Sequence, residues 1–187
     1  IAAGKGDLVA LIRRNISIKA SIVEADEFET IGTRALLNFG HTISHAIEAA
    51  AGYGTLLHGE AISLGLRAAA WISTQVSSLT SEHYERIIAL LKRCDLPVVL
   101  GPEFDIDEIL RIARMDKKYE KGKIRFVLLR KPGDACVSHD VMEGHLKHAL
   151  EELRKGPGKS TSSHTPEAPA PAVAAPVATS KPEVEAP

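Results

Sequence analysis

The sequence contains few cysteines, with only Cys94 and Cys136 among its 187 residues. The two are widely separated, so they cannot form the disulfide framework of a small secreted domain, and neither lies in a CxxC pair. Isolated cysteines of this kind are typical of reduced thiols in a cytoplasmic protein. The cysteine content therefore predicts a cytoplasmic location.

The chain also lacks an excess of charge of one sign and any long hydrophobic run. Lys and Arg total 23 and Asp and Glu total 24, which gives a formal net charge of -1. Without a broad positive field, the protein is not expected to bind nucleic acid, and any anion site must be local. No run approaches the roughly 18 apolar residues that span a membrane, so no membrane partner is predicted.

The sequence also lacks a nucleotide-binding fingerprint, an initiator Met and a signal peptide. No GxGxxG segment lies between a predicted strand and a predicted helix. The chain begins with Ile1 rather than Met, and its first residues have neither the charge pattern nor the cleavage site of a signal peptide. We therefore expect the sequence to come from the interior of a longer protein.

Large hydrophobic residues become rare near Gly156. The segment 156–187 holds seven of the ten prolines and no Leu, Ile, Phe, Trp or Tyr. Such a segment cannot bury enough apolar surface to offset the entropy lost on folding, so it is predicted to be a disordered Pro/Ala-rich tail. The folded domain is therefore expected to comprise residues 1–155.

Within residues 1–155 the apolar residues mostly recur at helical spacing, which predicts a mainly α domain. Helices are predicted at 6–24, at 33–50, at 58–78, from a Thr80 cap to about 94, from an Asp105–Glu108 capping box to about 115, and from Asp140 to about 154. Residues 123–130 and 135–138 flank a Pro-Gly-Asp turn, which predicts one small β-hairpin.

The segment 36–60, LLNFGHTISHAIEAAAGYGTLLHGE, is apolar apart from three histidines, two glutamates and a few small polar residues. On the predicted helix 33–50, an apolar face lies opposite a polar stripe about 80° wide. The stripe contains a cation, an amide, two imidazoles and a carboxylate: Arg34, Asn38, His41, His45 and Glu48. Solvated faces more commonly carry Lys and Glu, so we interpret the stripe as the wall of a polar cleft.

The histidines also suggest a metal site. His41 and His45 lie at i, i+4, a spacing that occurs by chance in ordinary helices as well. His58 follows a Gly-rich turn at the start of the next helix, where reversal of the chain turns it back toward His41. Neutral imidazoles suit zinc, and catalytic zinc takes three protein ligands and an open position. If His41 and His58 are two of these ligands, one ligand remains to be found.

Three segments, LLNFGHTISHAIE, GYGTLLHGEAISLG and MDKKYEKGKIRFVLL, resemble the C-terminal half of 3-dehydroquinate synthase. The order and spacing agree from about Leu8 through the last predicted helix. GHT-x2-HAIE followed by LHGE is specific to the sugar-phosphate cyclases, and DKK-x3-GKIRFVLL favours dehydroquinate synthase among them. The resemblance implies a two-domain enzyme whose N-terminal α/β domain binds NAD+ and is absent here, while the helical C-terminal domain supplies metal and substrate groups.

The resemblance also implies a reaction and its requirements. The family converts 3-deoxy-D-arabino-heptulosonate 7-phosphate to 3-dehydroquinate and phosphate in the shikimate pathway of aromatic amino-acid biosynthesis. The implied cofactors are NAD+ and Zn2+ or Co2+. The implied partner is a small phosphorylated sugar acid, and family members are often homodimers.

By the same resemblance, the metal ligands of this chain are His41 and His58, and a third ligand, a glutamate, lies outside it. His45 corresponds to an active-site histidine that transfers protons or, alternatively, binds phosphate oxygen. The implied substrate-binding residues are Lys19, Arg34, Asn38 and one of Lys117 and Lys118. The segment 26–34 has one residue more than the family pattern, which affects the placement of Lys19 and Glu29 more than that of Arg34.

Other interpretations fit part of the pattern. Glu48 and Glu60 are expected to cap a helix, pair with an arginine or orient a histidine rather than bind metal. Metal-dependent alcohol and glycerol dehydrogenases share metal-binding histidines in a helical domain but lack the NFGHT and DKK text, and other sugar-phosphate cyclases share the metal motif. An inactive fragment is the third alternative, because the chain lacks the dinucleotide domain and one metal ligand.

Overall fold

The computed structural model describes residues 6–30, 32–52, 55–115, 119–120 and 123–156. The predicted tail lies outside these ranges apart from Gly156, and so do both candidate lysines, Lys117 and Lys118.

Helices dominate the described part of the chain. The α-helices are α1 (Leu8–Ala25), α2 (His41–Ala51), α3 (His58–Val76), α4 (Ser81–Arg93), α5 (Ile106–Arg114) and α6 (Glu143–Lys155). A 3-10 helix covers Thr33–Asn38, and the strands are β1 (Tyr119–Glu120), β2 (Lys123–Lys131) and β3 (Asp134–Met142). The prediction of a mainly α domain with a small hairpin is therefore confirmed.

Polar caps begin several of these helices. Asp7, Thr80 and Asp105 each accept a hydrogen bond from a backbone N–H of the first turn, at 2.9–3.2 Å. The predicted capping box between Asp105 and Glu108 is not formed, because Asp105 accepts from the N–H of Asp107 and Glu108 pairs with Arg111 instead of reaching back to the cap. The same hydrogen bond from Arg111 holds the pKa of Glu108 below its ordinary value.

The sheet is antiparallel, in the order β1-β2-β3, with Val127 of β2 opposite Val137 of β3. The predicted second strand, 135–138, is too short, because β3 continues to Met142. Val141 pairs with Ile124 and is fully buried, so the strand runs past Asp140. The prediction that Asp140 begins the last helix is therefore wrong, and α6 begins at Glu143.

The core is arranged around α3. One face of α3 packs against α2 and α6, in a cluster that also takes in α5 and one face of β2. Ile124, Phe126 and Leu128 project from that face of β2, and each is about 1% exposed. A second cluster buries Ile88 and Leu91 of α4 against Ala70 of α3.

The predicted helix 33–50 is interrupted at Phe39 and Gly40, which is a correction to the sequence analysis. Gly40 has a φ of 80°, in the left-handed region that favours glycine. A Cβ at Gly40 would lie 2.8 Å from the backbone nitrogen of Leu66, and a Cβ at Gly65 would overlap Gly40 in turn. The chain therefore turns where two glycines let α2 approach α3 closely, and α2 begins afresh at His41.

Helix α1 differs from the others because none of its residues is buried. Its apolar side chains are largely exposed: Leu8, Val9, Leu11, Ile12, Ile16 and Ile18. Its main contacts are with the 3-10 helix. Among the described residues, no helix combines the length and the apolar character required to cross a membrane.

Candidate metal and substrate site

Three histidine rings lie together at the junction of α2 and α3. His41 is the first residue of α2 and His58 the first residue of α3, so both occupy helix starts. The ring centroids of His41 and His58 are 6.2 Å apart, and those of His41 and His45 are 5.4 Å apart. The predicted approach of His58 to His41 is therefore present in the structure, although His41 begins a helix instead of lying within one.

The two rings are close enough to approach one ion but are wider apart than tetrahedral ligands. An imidazole centroid lies roughly 3.2 Å from a zinc bound to one of its nitrogens, so two rings on one tetrahedral ion have centroids about 5.2 Å apart. The 6.2 Å between His41 and His58 is about 1 Å longer, so the rings would have to move closer together to share one zinc. Within the described ranges, no group of three or more His, Cys, Asp or Glu residues is arranged to hold a metal ion.

Hydrogen bonds fix the orientation of both rings. Nδ1 of His41 lies 3.2 Å from the carbonyl oxygen of Phe39. Because a carbonyl only accepts, Nδ1 carries the proton in the neutral ring, and the lone pair is on Nε2. Nδ1 of His58 likewise contacts the carboxylate of Glu48, at 3.1 Å. Such partners select the tautomer that metal-binding histidines use.

The two glutamates of the segment have structural contacts. Glu48 contacts His58 as described, and Glu60 accepts a hydrogen bond of 2.9 Å from the backbone N–H of Leu57, which stabilises the start of α3. Both contacts are of the kinds expected from the sequence, one orienting a histidine and one capping a helix.

His45 completes the cluster from the second turn of α2. Its ring is exposed and lies 6.3 Å from that of His58, with an angle of 29° between the ring planes. The ring of His41 meets it edge-on, at 88°. An exposed imidazole beside two possible metal ligands can exchange protons with a bound molecule.

The 3-10 helix carries the next two candidates, Arg34 and Asn38. Arg34 donates through Nη1 to the carbonyl oxygen of Glu27, at 2.8 Å, and its backbone N–H donates to Asp26 at 3.1 Å. Asp26 is 3% exposed and was not identified from the sequence, because two acidic residues in a row are typical of a solvated turn. Asn38 is half-buried and lines a pocket beside β2.

The remaining candidates are not brought to the cluster by the described contacts. Lys19 is exposed on α1, and it makes no hydrogen bond or ion pair with another described residue. Lys117 and Lys118 lie outside the described ranges. The segment with the extra residue, 26–34, turns through two left-handed positions, Glu29 with a φ of 55° and Gly32 with a φ of 88°.

Comparisons with known proteins identify the family of the chain. Residues 2–119 match the family described as 3-dehydroquinate synthase C-terminal. The 3-dehydroquinate synthase of Coxiella burnetii (strain Dugway 5J108-111) is 45% identical over 144 residues, which are 77% of this chain and 40% of that protein. The 3-dehydroquinate synthase of Methylacidiphilum infernorum (isolate V4) is 39% identical over 149 residues, 80% of this chain and 41% of that protein.

Solved structures with a similar fold include two synthases with NAD+ and a divalent metal bound. A 2-deoxy-scyllo-inosose synthase complexed with carbaglucose-6-phosphate, NAD+ and Co2+ has a TM-score of 0.65 and 26% identity, over 75% of this chain and 40% of that one. The 2-epi-5-epi-valiolone synthase of Streptomyces hygroscopicus subsp. jinggangensis 5008, with NAD+ and Zn2+ bound, has the same score and identity, over 78% and 39%.

The chain spans about 40% of the length of the curated relatives it matches. The family match includes the whole histidine cluster and the 3-10 helix that precedes it. On these grounds, the chain belongs to the family of 3-dehydroquinate synthase C-terminal domains.

Proposed function

We propose that this chain is the metal- and substrate-binding domain of a 3-dehydroquinate synthase. The whole enzyme would convert 3-deoxy-D-arabino-heptulosonate 7-phosphate to 3-dehydroquinate and phosphate, in the shikimate pathway. The observation that carries the proposal is the pair His41 and His58, which lie on separate helices with ring centroids 6.2 Å apart and with both Nδ1 atoms engaged.

His41 and His58 would hold a divalent ion, Zn2+ or Co2+, through Nε2. The donor set fits this role because both imidazoles have the required tautomer. The third ligand would be a glutamate outside this chain. When bound, the ion would supply Lewis acidity toward a substrate hydroxyl, and NAD+ held by another domain would supply a hydride acceptor.

The other residues would bind the anionic substrate and move protons. Arg34 offers a planar fork for a carboxylate or a phosphate, and its contact with Glu27 limits where that fork points. Asn38 offers a neutral donor and acceptor, and Lys19 with one of Lys117 and Lys118 would add point charges. His45 would transfer protons, since an exposed imidazole suits that role near neutral pH.

The full-length protein that contains this chain provides the test. We expect it to release phosphate from 3-deoxy-D-arabino-heptulosonate 7-phosphate in the presence of NAD+ and Zn2+. His41→Ala and His58→Ala should each abolish turnover and bound metal, whereas His148→Ala, an exposed histidine of α6, should change neither. Absence of turnover by the folded wild type, or metal binding that survives both substitutions, would contradict the proposal.

His45→Gln separates the two roles considered for that residue. A proton-transfer role predicts a lower kcat with unchanged metal content and unchanged inhibition by inorganic phosphate. Weaker inhibition by phosphate would instead indicate that His45 binds phosphate oxygen.

The 187-residue chain alone should show no detectable turnover, because two imidazoles bind zinc weakly without the missing carboxylate and because NAD+ has no fingerprint here. Turnover by the purified chain would overturn this expectation.

The nearest rival is a cyclase that acts on a different sugar phosphate, which the 26% identity to 2-deoxy-scyllo-inosose synthase favours as the second candidate. The two candidates differ in the substrate, because the heptulosonate carries a carboxylate as well as a phosphate. Faster turnover of a sugar phosphate that lacks a carboxylate would favour the rival.

The cellular setting is also part of the proposal. A location in the cytoplasm is supported by the two cysteines, Cys94 and Cys136, which are both free thiols. A homodimer is proposed for the full-length protein. Cell fractionation and light scattering of the purified protein test these two points.

A further inference from the structure

A pocket lies between the 3-10 helix and the sheet, and the start of α2 contributes Thr42 to its lining. Its volume is about 310 Å³, including space that is open to solvent. The apolar part of its wall is formed by Ala35, Val127 and Val137. Asn38 and Thr42 provide neutral polar groups, and Glu29 and Arg125 are its charged residues.

Arg125 reaches this pocket because side chains alternate along β2. Its two neighbours, Ile124 and Phe126, are buried in the helical core, so Arg125 and Val127 project from the opposite face. The pairing with β3 also shifts at this point, since Ile124 faces Val141 whereas Phe126 faces Ser138. Register irregularities of this kind re-aim side chains near functional sites.

The guanidinium of Arg125 lies beside the start of the 3-10 helix. A Cβ at Gly32 would be in ordinary van der Waals contact with Nη2 of Arg125, at 3.4 Å, which places the guanidinium directly beside Gly32. Arg125 is half-buried, and it forms no hydrogen bond or ion pair with another described residue. A partly desolvated guanidinium is stabilised by an acceptor, and its flat fork matches a carboxylate or a phosphate.

We propose that Arg125 and Asn38 form an oxyanion subsite in this pocket, which binds one anionic group of the substrate. The identity of that substrate rests on the proposed function. Glu29 lines the same pocket but is exposed, and it forms no ion pair with Arg125 among the described residues. Its negative charge weakens anion binding there, so its neutralisation should strengthen it.

The test measures binding to the full-length protein by calorimetry. Inorganic phosphate serves as the phosphate probe, and dephosphorylated 3-deoxy-D-arabino-heptulosonate serves as the carboxylate probe. Arg125→Met should raise the Kd of one of them about tenfold or more, the effect of losing a charged hydrogen bond, and Arg125→Lys should restore part of the affinity. The probe that is affected identifies the group bound in the pocket.

Arg130→Met is the matched control, because Arg130 lies on the same strand, is exposed and pairs with Asp134 at the turn. It should leave both Kd values unchanged. Glu29→Gln should lower the Kd of the affected probe severalfold. This variant tests the subsite even if Arg125→Met does not fold.

Two outcomes would overturn the subsite. One is a folded Arg125→Met protein whose two Kd values stay within twofold of wild type. The other is an unchanged Kd for both probes in Glu29→Gln. Failure of the proposed function would be visible separately, as a wild-type protein that binds the probes but does not turn over the heptulosonate.

Discussion

At the scale of single residues, the proposed metal site would depend on groups that do not bind the metal themselves. The Phe39 carbonyl and the Glu48 carboxylate each engage the Nδ1 atom of one histidine. They thereby determine which nitrogen carries the lone pair, and their contribution is separate from that of the rings. In the proposed metal site, Glu48 would therefore contribute to metal affinity without being a ligand.

Replacement of Glu48 by Ala should weaken metal binding by about 10- to 100-fold, because His58 loses the partner that orients it. Titration of the full-length apoprotein with Co2+, followed by visible absorption, measures this affinity. Glu85→Ala, at an exposed position of α4, is the control and should bind Co2+ as the wild type does. An unchanged Kd for Glu48→Ala would show that the contact does not orient the ligand.

A second residue with an unusual environment is Arg67, which is 1% exposed. Its guanidinium donates to the carbonyl oxygens of Val98, Glu152 and Leu153, and to the hydroxyl of Tyr84. The carbonyls at 152 and 153 belong to the last turn of α6, where a cation is favourable. Burial raises the pKa of the Tyr84 hydroxyl, which therefore stays neutral beside the cation.

Substitution of Arg67 by Met should lower the free energy of unfolding by at least about 2 kcal/mol, because several buried carbonyls lose their donor. Urea denaturation followed by circular dichroism measures the loss. Arg86→Met, an exposed arginine of α4, should change stability by less than about 0.5 kcal/mol. Equal midpoints for the two variants would contradict the structural role of Arg67.

At the scale of elements, the contact between Gly40 and Gly65 sets the spacing of α2 and α3. A Cβ on Gly65 would overlap the Gly40 carbonyl and lie 2.9 Å from Cβ of Ser44. The Gly40 carbonyl is part of the backbone, and Cβ of Ser44 is attached directly to it. Neither atom can therefore move without moving the start of α2. An added methyl group must therefore push the two helices apart.

Gly65→Ala should lower the free energy of unfolding by about 1–3 kcal/mol, the usual cost of overpacking a core, and should also weaken Co2+ binding. Gly144→Ala is a matched control, because that helical glycine has no atom within 4 Å of an added Cβ. It should stabilise the protein by about 0.5–1 kcal/mol. Thermal unfolding of both variants measures whether Gly65→Ala lowers the melting temperature while Gly144→Ala raises it. A stabilised Gly65→Ala protein would contradict the packing argument.

Local patterns were sufficient for most elements but not for this contact. Short stretches of sequence determine the caps at Thr80 and Asp105 and the turn at Gly133. For this reason α4, α5 and the hairpin could be predicted. The break before His41 depends on Gly65, which lies 25 positions along the chain from Gly40, and no local signal reports it. The length of β3 likewise depends on the burial of Val141 against other elements.

The same distinction holds for the site. His41 and His58 could be paired from the sequence because a Gly-rich turn reverses the chain between them. The pocket at Arg125 could not be predicted, because it requires the 3-10 helix to cover a particular face of the sheet.

At the scale of the whole molecule, α1 is set apart from the core. None of its residues is buried, although six of its large apolar side chains occupy about half of its circumference. Its 18 residues are close to the length below which an isolated helix is only marginally stable in water. The stability of α1 in this chain is therefore expected to be local and low.

Hydrogen exchange of the 187-residue chain should show this difference. Amides of α1 should exchange nearly as fast as in an unfolded peptide, whereas those of α3, the central helix of the core, should exchange at the rate of global unfolding. Equal protection of α1 and α3 would contradict the expectation.

The glycine contact has a further consequence for metal chemistry. His41 and His58 begin helices whose backbones meet at Gly40 and Gly65, so in the proposed site the spacing of the two imidazoles would follow the distance between α2 and α3. A larger residue at Gly40 or Gly65 would thus move the two ligands apart without replacing either of them. Metal affinity would then respond to a position that never meets the metal.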